Sequence, residues 1–224
     1  MKPTEIAWSH SALARYENCP HQYYREKVVK DVPFVETEAL KKGNDMHKVL
    51  ELKVDKGVPL PSRWEHLEPV ASYVASLPNV KVEEEFAFTC ELERCEWFDR
   101  KRKVWSRCKI DVQSFFSPEV AMVVDYKSGG YYGDDKQAGT TALTMFWAYP
   151  ELQTVSTVWY YVEKDKKVGD TFTRQQMPEL MERPLGTLSD ISKSYRTERW
   201  PKQPHFGCKF CGVTDCEFRG KSHR

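Results

Sequence analysis

Long apolar runs are missing from this 224-residue sequence: no stretch approaches the ~20 consecutive apolar residues of a membrane-spanning helix. The opening segment MKPTEIAWSH also lacks the apolar centre of a secretory signal, so we expect a cytoplasmic protein. Net charge is only +1, which gives no sign of a strongly basic nucleic-acid binder. The P-loop pattern G-x-x-x-x-G-K-[ST] is absent too, which argues against a helicase-type motor within the chain.

Helical and strand patterns alternate along the chain, without an internal repeat. The predicted helices cover residues 38–56, 64–77, 134–149 and 178–199, after two short helical stretches within 9–29. The predicted strands cover residues 80–89, 91–98, 104–116 and 155–163, with a further strand beginning at 121. This order indicates one mixed α/β core, an α+β mixed sheet, rather than separate domains.

Two carboxylates are predicted to meet on neighbouring strands. In AMVVDYKSGG, residues 121–130, Asp125 and Lys127 lie two apart and therefore share one face of a strand. If the hairpin around residues 117–119 is symmetric, Asp111 lies opposite Asp125, with Cβ atoms about 4.5–5.5 Å apart. Carboxylates that close repel unless a cation lies between them, and Mg²⁺ or Mn²⁺ prefers oxygen ligands. The sequence therefore predicts a divalent-metal site here.

Three further residues are candidates for this site. His47 lies on the apolar stripe of the 38–56 helix, where a packed core histidine is the plain alternative. Glu51, one turn later, could orient the imidazole by a hydrogen bond. Glu85, on a neighbouring strand, could support a metal or its water, although three consecutive glutamates also suit a solvated strand face.

At this point a family resemblance emerges. KID (109–111), followed by VVDYKSG (123–129), resembles the PD-(D/E)xK nuclease superfamily, and GNDMHKVLE (43–51) resembles the histidine motif of its RecB-like branch. The resemblance implies a restriction-endonuclease-like core of helix, three strands, helix and strand over residues 37–163.

The resemblance also implies roles for individual residues. It implies four metal-binding groups: His47, Asp111, Asp125 and the carbonyl of Tyr126. Lys127 would position or help deprotonate the attacking water, or stabilise negative charge. Gln137 matches the family's catalytic glutamine position, but Thr141 stands where the family has a tyrosine.

Seven cysteines in a reducing compartment suggest metal ligation rather than disulfides where their spacing is tight. Three of them, Cys208, Cys211 and Cys216, follow a C-x2-C-x4-C pattern and need a fourth ligand. His205 or His223 could complete a zinc site, and Cys19 is the alternative from the other end of the chain. We interpret Cys90, Cys95 and Cys108 as ordinary strand residues.

The RecB-like resemblance favours Cys19. In the branch's iron–sulfur members, one N-terminal cysteine followed by proline joins three C-terminal cysteines. This implies a 4Fe–4S cluster on Cys19, Cys208, Cys211 and Cys216, with zinc as the less favoured occupant. The cluster would hold together a helical cap formed by residues 1–36 and 164–224.

The resemblance implies a divalent-metal-dependent DNA exonuclease that hydrolyses single strands or DNA ends. Such proteins act in recombination and repair, phage DNA processing and CRISPR adaptation. A helicase or a CRISPR-integration complex would then be a candidate partner. For a phage protein the compartment would be the cytoplasm of the host. A structure-specific endonuclease is one alternative, and a non-catalytic iron–sulfur DNA-binding module is another. The sequence is silent on oligomeric state and strand polarity.

Overall fold

Helices and strands alternate in a computed structural model that describes residues 1–130 and 136–221. The α-helices in those residues are α1 (His10–Asn18), α2 (Pro20–Tyr23), α3 (Glu38–Lys56), α4 (Glu68–Ala75), α5 (Lys136–Ala148) and α6 (Met177–Thr197). The strands are β1 (Val80–Phe88), β2 (Arg94–Cys95), β3 (Ser106–Ser117), β4 (Val120–Lys127), β5 (Thr154–Tyr161) and β6 (Lys166–Thr173). None of the described helices combines the length and the apolar character needed to cross a bilayer.

Local sequence signals explain the long helix α3. The Thr37 side chain accepts a hydrogen bond from Leu40 N at the start, and Gly57 takes the left-handed conformation, φ 68°, just past the end. These are the favoured N-terminal and C-terminal caps. The bounds predicted from sequence, residues 38–56, are confirmed.

The strands form one mixed sheet in the order β2-β1-β3-β4-β5-β6. Neighbours are antiparallel except β4 and β5, which are parallel. The connection between that parallel pair contains α5, as parallel neighbours require a crossover. In the β3–β4 hairpin Val112 pairs with Val124, and Phe115 with Ala121, which confirms the predicted symmetric register.

Both faces of the sheet are covered by helices. On one face α5 packs against a core that includes Phe86, Phe146, Leu152 and Trp159. On the other, α3 and α4 bury a second core that includes Met46, Leu50, Leu67, Val112 and Val124. The carboxyl end of β4 therefore lies between α3 on one side and the beginning of α5 on the other.

The two ends of the chain meet in a third core. Its buried members come from the N-terminal segment, α1, α2, α6 and the residue before β3: Ile6, Trp8, Leu13, Tyr16, Tyr23, Trp105, Leu188 and Ile191. Tyr16 Oη and Ser194 Oγ share a hydrogen bond of 2.7 Å, and Arg183 Nε donates to Glu17 Oε1 at 2.9 Å. The N-terminal aromatic side chains thus pack between helices.

Several elements differ from the sequence-based prediction. The strand expected at 91–98 shrinks to the two residues of β2, and the helix expected at 64–77 begins as a 3-10 turn, Ser62–Leu67. The first two residues of the helix predicted at 134–149 lie outside the described residues. Strand β6 was not predicted, because its sequence is polar and it lies at the edge of the sheet with mostly exposed side chains. The helical character expected of residues 164–224 therefore begins only at α6, which continues through Pro184.

Candidate active site

Asp111 links α3 to the strands at the carboxyl end of β4. Its Oδ2 lies 3.2 Å from His47 Nδ1 on α3 and accepts a hydrogen bond of 3.0 Å from the backbone N–H of Tyr126. Gly43, one turn before His47, packs closely against the residue after Lys127, since a Cβ there would lie 3.1 Å from Ser128 Oγ. The structure thus brings His47, Asp111 and the backbone of Tyr126 together.

Asp125, Lys127 and Gln137 form a connected group beside that pair. Gln137, in the first turn of α5, donates from Nε2 to Asp125 Oδ1 at 3.2 Å and accepts at Oε1 from Lys127 Nζ at 2.8 Å. Lys127 Nζ also lies 2.7 Å from Asp125 Oδ2, an ion pair whose angles fall outside those of a hydrogen bond. The ammonium lies 5.4 Å from the centre of the Trp159 ring. Gln137 therefore holds both charged groups in place.

Electrostatics at this site favour a bound cation. Burial, and secondly the charge of Asp111, raise the pKa of Asp125 to about 6, despite the opposing effect of Lys127. Burial alone would lower the pKa of His47, but the hydrogen bond to Asp111 and the nearby carboxylates outweigh it and raise that pKa. The His47 shift, and the part of the Asp125 shift that Asp111 causes, reflect negative charge that a divalent cation with oxygen and imidazole ligands would compensate.

Glu83 is the site residue that sequence reasoning missed. Potential ligand atoms of His47, Glu83 and Asp111 all lie within 4.8 Å of one another. Glu83 adopts φ 54° in the middle of β1, a left-handed conformation that costs a non-glycine residue energy and often marks a functional position. Its carboxylate pairs with Lys109. The β1–β3 register places position 83 across from Asp111, so only a prediction of that register could have found it.

The two supporting residues predicted from sequence lie elsewhere. Glu85 is exposed and pairs across strands with Lys109, two residues further along β1 from Glu83. In the described part of the chain, the Glu51 carboxylate binds Lys48 Nζ at 2.8 Å, and no hydrogen bond joins it to His47. The expected orientation of His47 by Glu51 is therefore corrected: Asp111 holds the imidazole.

Four cysteines from opposite ends of the chain line one small cavity: Cys19, Cys208, Cys211 and Cys216. Backbone N–H groups of Gln203 and His205 point to the sulfurs of Cys19 and Cys208, at 3.5 and 3.4 Å. Among residues 1–130 and 136–221, however, His47, Glu83 and Asp111 are the one group of three or more potential metal ligands within 4.8 Å of one another, so the structure does not support a metal or cluster site at the four cysteines. His223, the alternative zinc ligand, lies outside the described residues.

Comparison with known proteins finds one family model that matches part of the chain. A family model described as the PD-(D/E)XK nuclease superfamily matches residues 7–114. The chain therefore resembles this family over residues 7–114, just under half of its length. The match includes His47, Glu83 and Asp111, and it ends before Asp125 and Lys127. No curated protein matches the sequence significantly.

One solved structure with little sequence identity shares this fold. A Eubacterium rectale structure named "Putative exonuclease" aligns with a TM-score of 0.55 and 13% identity over 99% of this chain and 90% of that chain. A structure named SSO0001 covers 96% of this chain and 88% of its own at 11% identity, but its TM-score of 0.48 is too low to carry an argument. The first alignment supports the mixed α/β fold, and no more than the fold.

Replacing Glu83 by glutamine should weaken Mn²⁺ binding about tenfold, the lower end of losses seen when groups around a metal are altered. The change removes one charge from the His47–Glu83–Asp111 group while keeping the side-chain shape. Glu85→Gln is the matched control, because it removes the same charge from an exposed position of the same strand. Isothermal titration calorimetry measures both, and equal affinities for the two variants would remove Glu83 from the site.

Proposed function

We propose that this protein is a divalent-metal-dependent deoxyribonuclease that acts as an exonuclease on single strands or DNA ends. The observation that carries the proposal is the juxtaposition of two groups at the end of β4. One is the His47–Glu83–Asp111 ligand group, and the other is Asp125 with Lys127. Oxygen donors, an imidazole and an adjacent ammonium suit Mg²⁺- or Mn²⁺-assisted hydrolysis of a phosphodiester.

Each side chain has a distinct task in this proposal. Bound Mg²⁺ or Mn²⁺ would supply Lewis acidity and a lowered pKa for water. His47, Asp111, Asp125 and the Tyr126 carbonyl would hold the ion, with Glu83 in reach of the same position. Lys127 would orient the attacking water or stabilise the charge that develops on phosphate oxygens. Gln137 would position Lys127 through the 2.8 Å hydrogen bond.

The exonuclease activity is supported by two indirect observations. The family resemblance points to the RecB-like branch, and the Eubacterium rectale neighbour carries the word exonuclease in its name. We place the activity in recombination and repair, phage DNA processing or CRISPR adaptation, in the cytoplasm of the cell or of a phage host. A helicase or an integration complex would be the partner that delivers the strand.

We further propose that residues 37–163 are the catalytic core and that residues 1–36 and 164–224 form a cap around a 4Fe–4S cluster. Strand β6 lies outside residues 37–163 but extends the sheet of the core. Cys19 and Cys208 are buried, and burial and the neighbouring thiols raise the pKa of Cys211. Anaerobic protein should contain iron and sulfide and absorb near ~400 nm. Colourless protein containing zinc would reverse this assignment.

Labelled DNA tests the nuclease proposal. With Mn²⁺ or Mg²⁺, we expect single strands labelled at the 5′ or the 3′ end to be shortened stepwise from one end, and chelation to stop the reaction. Cleavage of a closed single-stranded circle would instead favour the endonuclease alternative. If no DNA is degraded with any divalent metal, a non-catalytic DNA-binding module becomes the better interpretation.

A further inference from the structure

A cleft of about 720 Å³ leads to the candidate active site. It lies between the N-terminal segment, the turn of helix that follows α2, and the beginning of β3. Lys109 and Gln137 line its inner end, and these residues contact Glu83 and Lys127 of the site. The cleft is therefore continuous with the proposed centre of hydrolysis.

The cleft carries uncompensated positive charge. Among the described residues that line it, Lys27, Lys30, Arg107 and Lys109 are cationic side chains, and Glu5 is the acidic one. Lys109 pairs with Glu83, but no carboxylate partner is found for Lys27, Lys30 or Arg107 within residues 1–130 and 136–221. Although net charge is near zero for the whole chain, the charge balance in the cleft favours an anionic ligand.

Lys27 and Lys30 lie at the outer end of the cleft, in an unusual backbone element. Lys27 lies in a π-helical turn, Tyr24–Val29, and Lys30 ends that turn in the left-handed conformation, φ 62°. Such turns are rare and often mark functional positions. Partial burial, and the charges of Arg15 and Lys30, lower the pKa of Lys27, so the lysines repel each other until an anion binds.

Aromatic side chains lie beside the cleft on the segment before β3. Trp97 lines it, and the neighbouring Phe98 is 79% exposed. The Arg107 guanidinium lies 5.7 Å from the Trp97 ring centre and 5.6 Å from that of Phe98, and its Nε donates to the Trp97 carbonyl at 2.8 Å. Cations that follow a backbone, together with accessible aromatic faces, are how proteins bind unpaired nucleic acid strands.

We propose that this cleft is the path of a single DNA strand whose end reaches the candidate active site. Lys27 and Lys30 bind successive phosphates, and Phe98 stacks on an unpaired base. The inference rests on the proposed nuclease function, and it adds the side from which the substrate enters and the preference for a single strand over a duplex.

The proposed strand path is tested by binding of a fluorescent thymidine oligonucleotide. Fluorescence anisotropy measures the affinity at several salt concentrations, with EDTA present. For Lys27→Gln/Lys30→Gln we expect roughly tenfold weaker binding at low salt and a salt slope smaller by about 1.4, because each phosphate contact on a single strand contributes about 0.7. Lys56→Gln/Lys193→Gln is the matched control: it removes the same charge from exposed helix positions outside the cleft. Equal affinities and slopes for the two double variants would overturn the proposal.

Phe98→Ala provides an independent measurement, because so exposed a side chain is not needed for folding. We expect weaker strand binding, by about fivefold, with an unchanged salt slope. A blunt duplex that binds as tightly as the strand, with no effect of Phe98→Ala, would overturn the single-strand preference. Since these measurements require no cleavage, they decide the path even if the wild-type protein degrades no DNA, which would count against the proposed function alone.

Discussion

Replacement of Lys127 by methionine should lower the rate of metal-dependent DNA cleavage about 10³-fold, since one preorganised donor in a hydrolytic site contributes about that much. Methionine keeps the length of the side chain but removes the ammonium that lies 2.7 Å from Asp125 and 2.8 Å from Gln137. Because Lys127 is not among the proposed metal ligands, Mn²⁺ should still bind. Cleavage rates at saturating DNA and calorimetric Mn²⁺ titrations check both expectations.

The same variant should also change stability in a metal-dependent way. Without metal, removal of the ammonium leaves the buried Asp125 carboxylate uncompensated, so the melting temperature should fall. With Mn²⁺ the loss should largely disappear. Lys53→Met is the matched control, because Lys53 is a similarly shielded lysine that pairs with Glu68 at 2.5 Å away from the site. A Lys127→Met protein that cleaves DNA like the Lys53→Met control would exclude Lys127 from the chemistry.

The sequence predicted the elements whose signals are local. Helix α3 has its caps at Thr37 and Gly57, and the β3–β4 hairpin has a short turn that sets the register. That register ends at Val112–Val124, and the charge of Asp111 raises the pKa of Asp125, which agrees with the closeness of the two carboxylates predicted from spacing. The weakly patterned edge strand β6 could not be predicted, since it is stabilised by pairing with β5 rather than by burial of its own side chains.

The sequence did not indicate Glu83 as a site residue, because a backbone irregularity brings it to the site. A strand with regular alternation puts Glu83 and Glu85 on one face, so composition alone does not choose between them. The left-handed conformation of Glu83 is a tertiary feature without a glycine or asparagine to indicate it. Likewise Glu51 lies one helical turn after His47, but its carboxylate forms an ion pair with Lys48 instead. Where a long side chain has several partners in reach, sequence spacing does not determine which of them it contacts.

Asp125→Asn should abolish cleavage and yet stabilise the metal-free protein at pH 7.5. The wild-type carboxylate is almost fully buried, and its pKa is raised from 3.8 to about 6. Ionised Asp125 therefore costs on the order of 3 kcal/mol of folding free energy, a net figure that already includes the attraction of Lys127. Chemical denaturation without metal measures the gain, and Asp55→Asn, at an exposed position, is the control.

The raised pKa of Asp125 also predicts how the free energy of unfolding of the wild type changes with pH. Because the folded pKa of Asp125 lies above its unfolded value, the folded protein binds the extra proton, and the wild-type free energy of unfolding should rise as pH falls from 7 through 6 towards 4. The raised pKa of His47 acts in the same direction, because its contribution is lost as pH rises through that pKa. In Asp125→Asn the profile should be flatter between pH 7 and 5, because the contribution of Asp125 is removed.

Bound Mn²⁺ should make the wild type more stable than Asp125→Asn, the reverse of the order expected without metal. At pH 7.5 Mn²⁺ binds the folded state of the wild type and raises its melting temperature, whereas Asp125→Asn lacks one charged ligand and should respond much less. A buried carboxylate that destabilises the fold is retained where it is needed for function. If Asp125→Asn were less stable than the wild type without metal and equally stabilised by Mn²⁺, Asp125 would be a structural ion-pair partner of Lys127 and not a metal ligand.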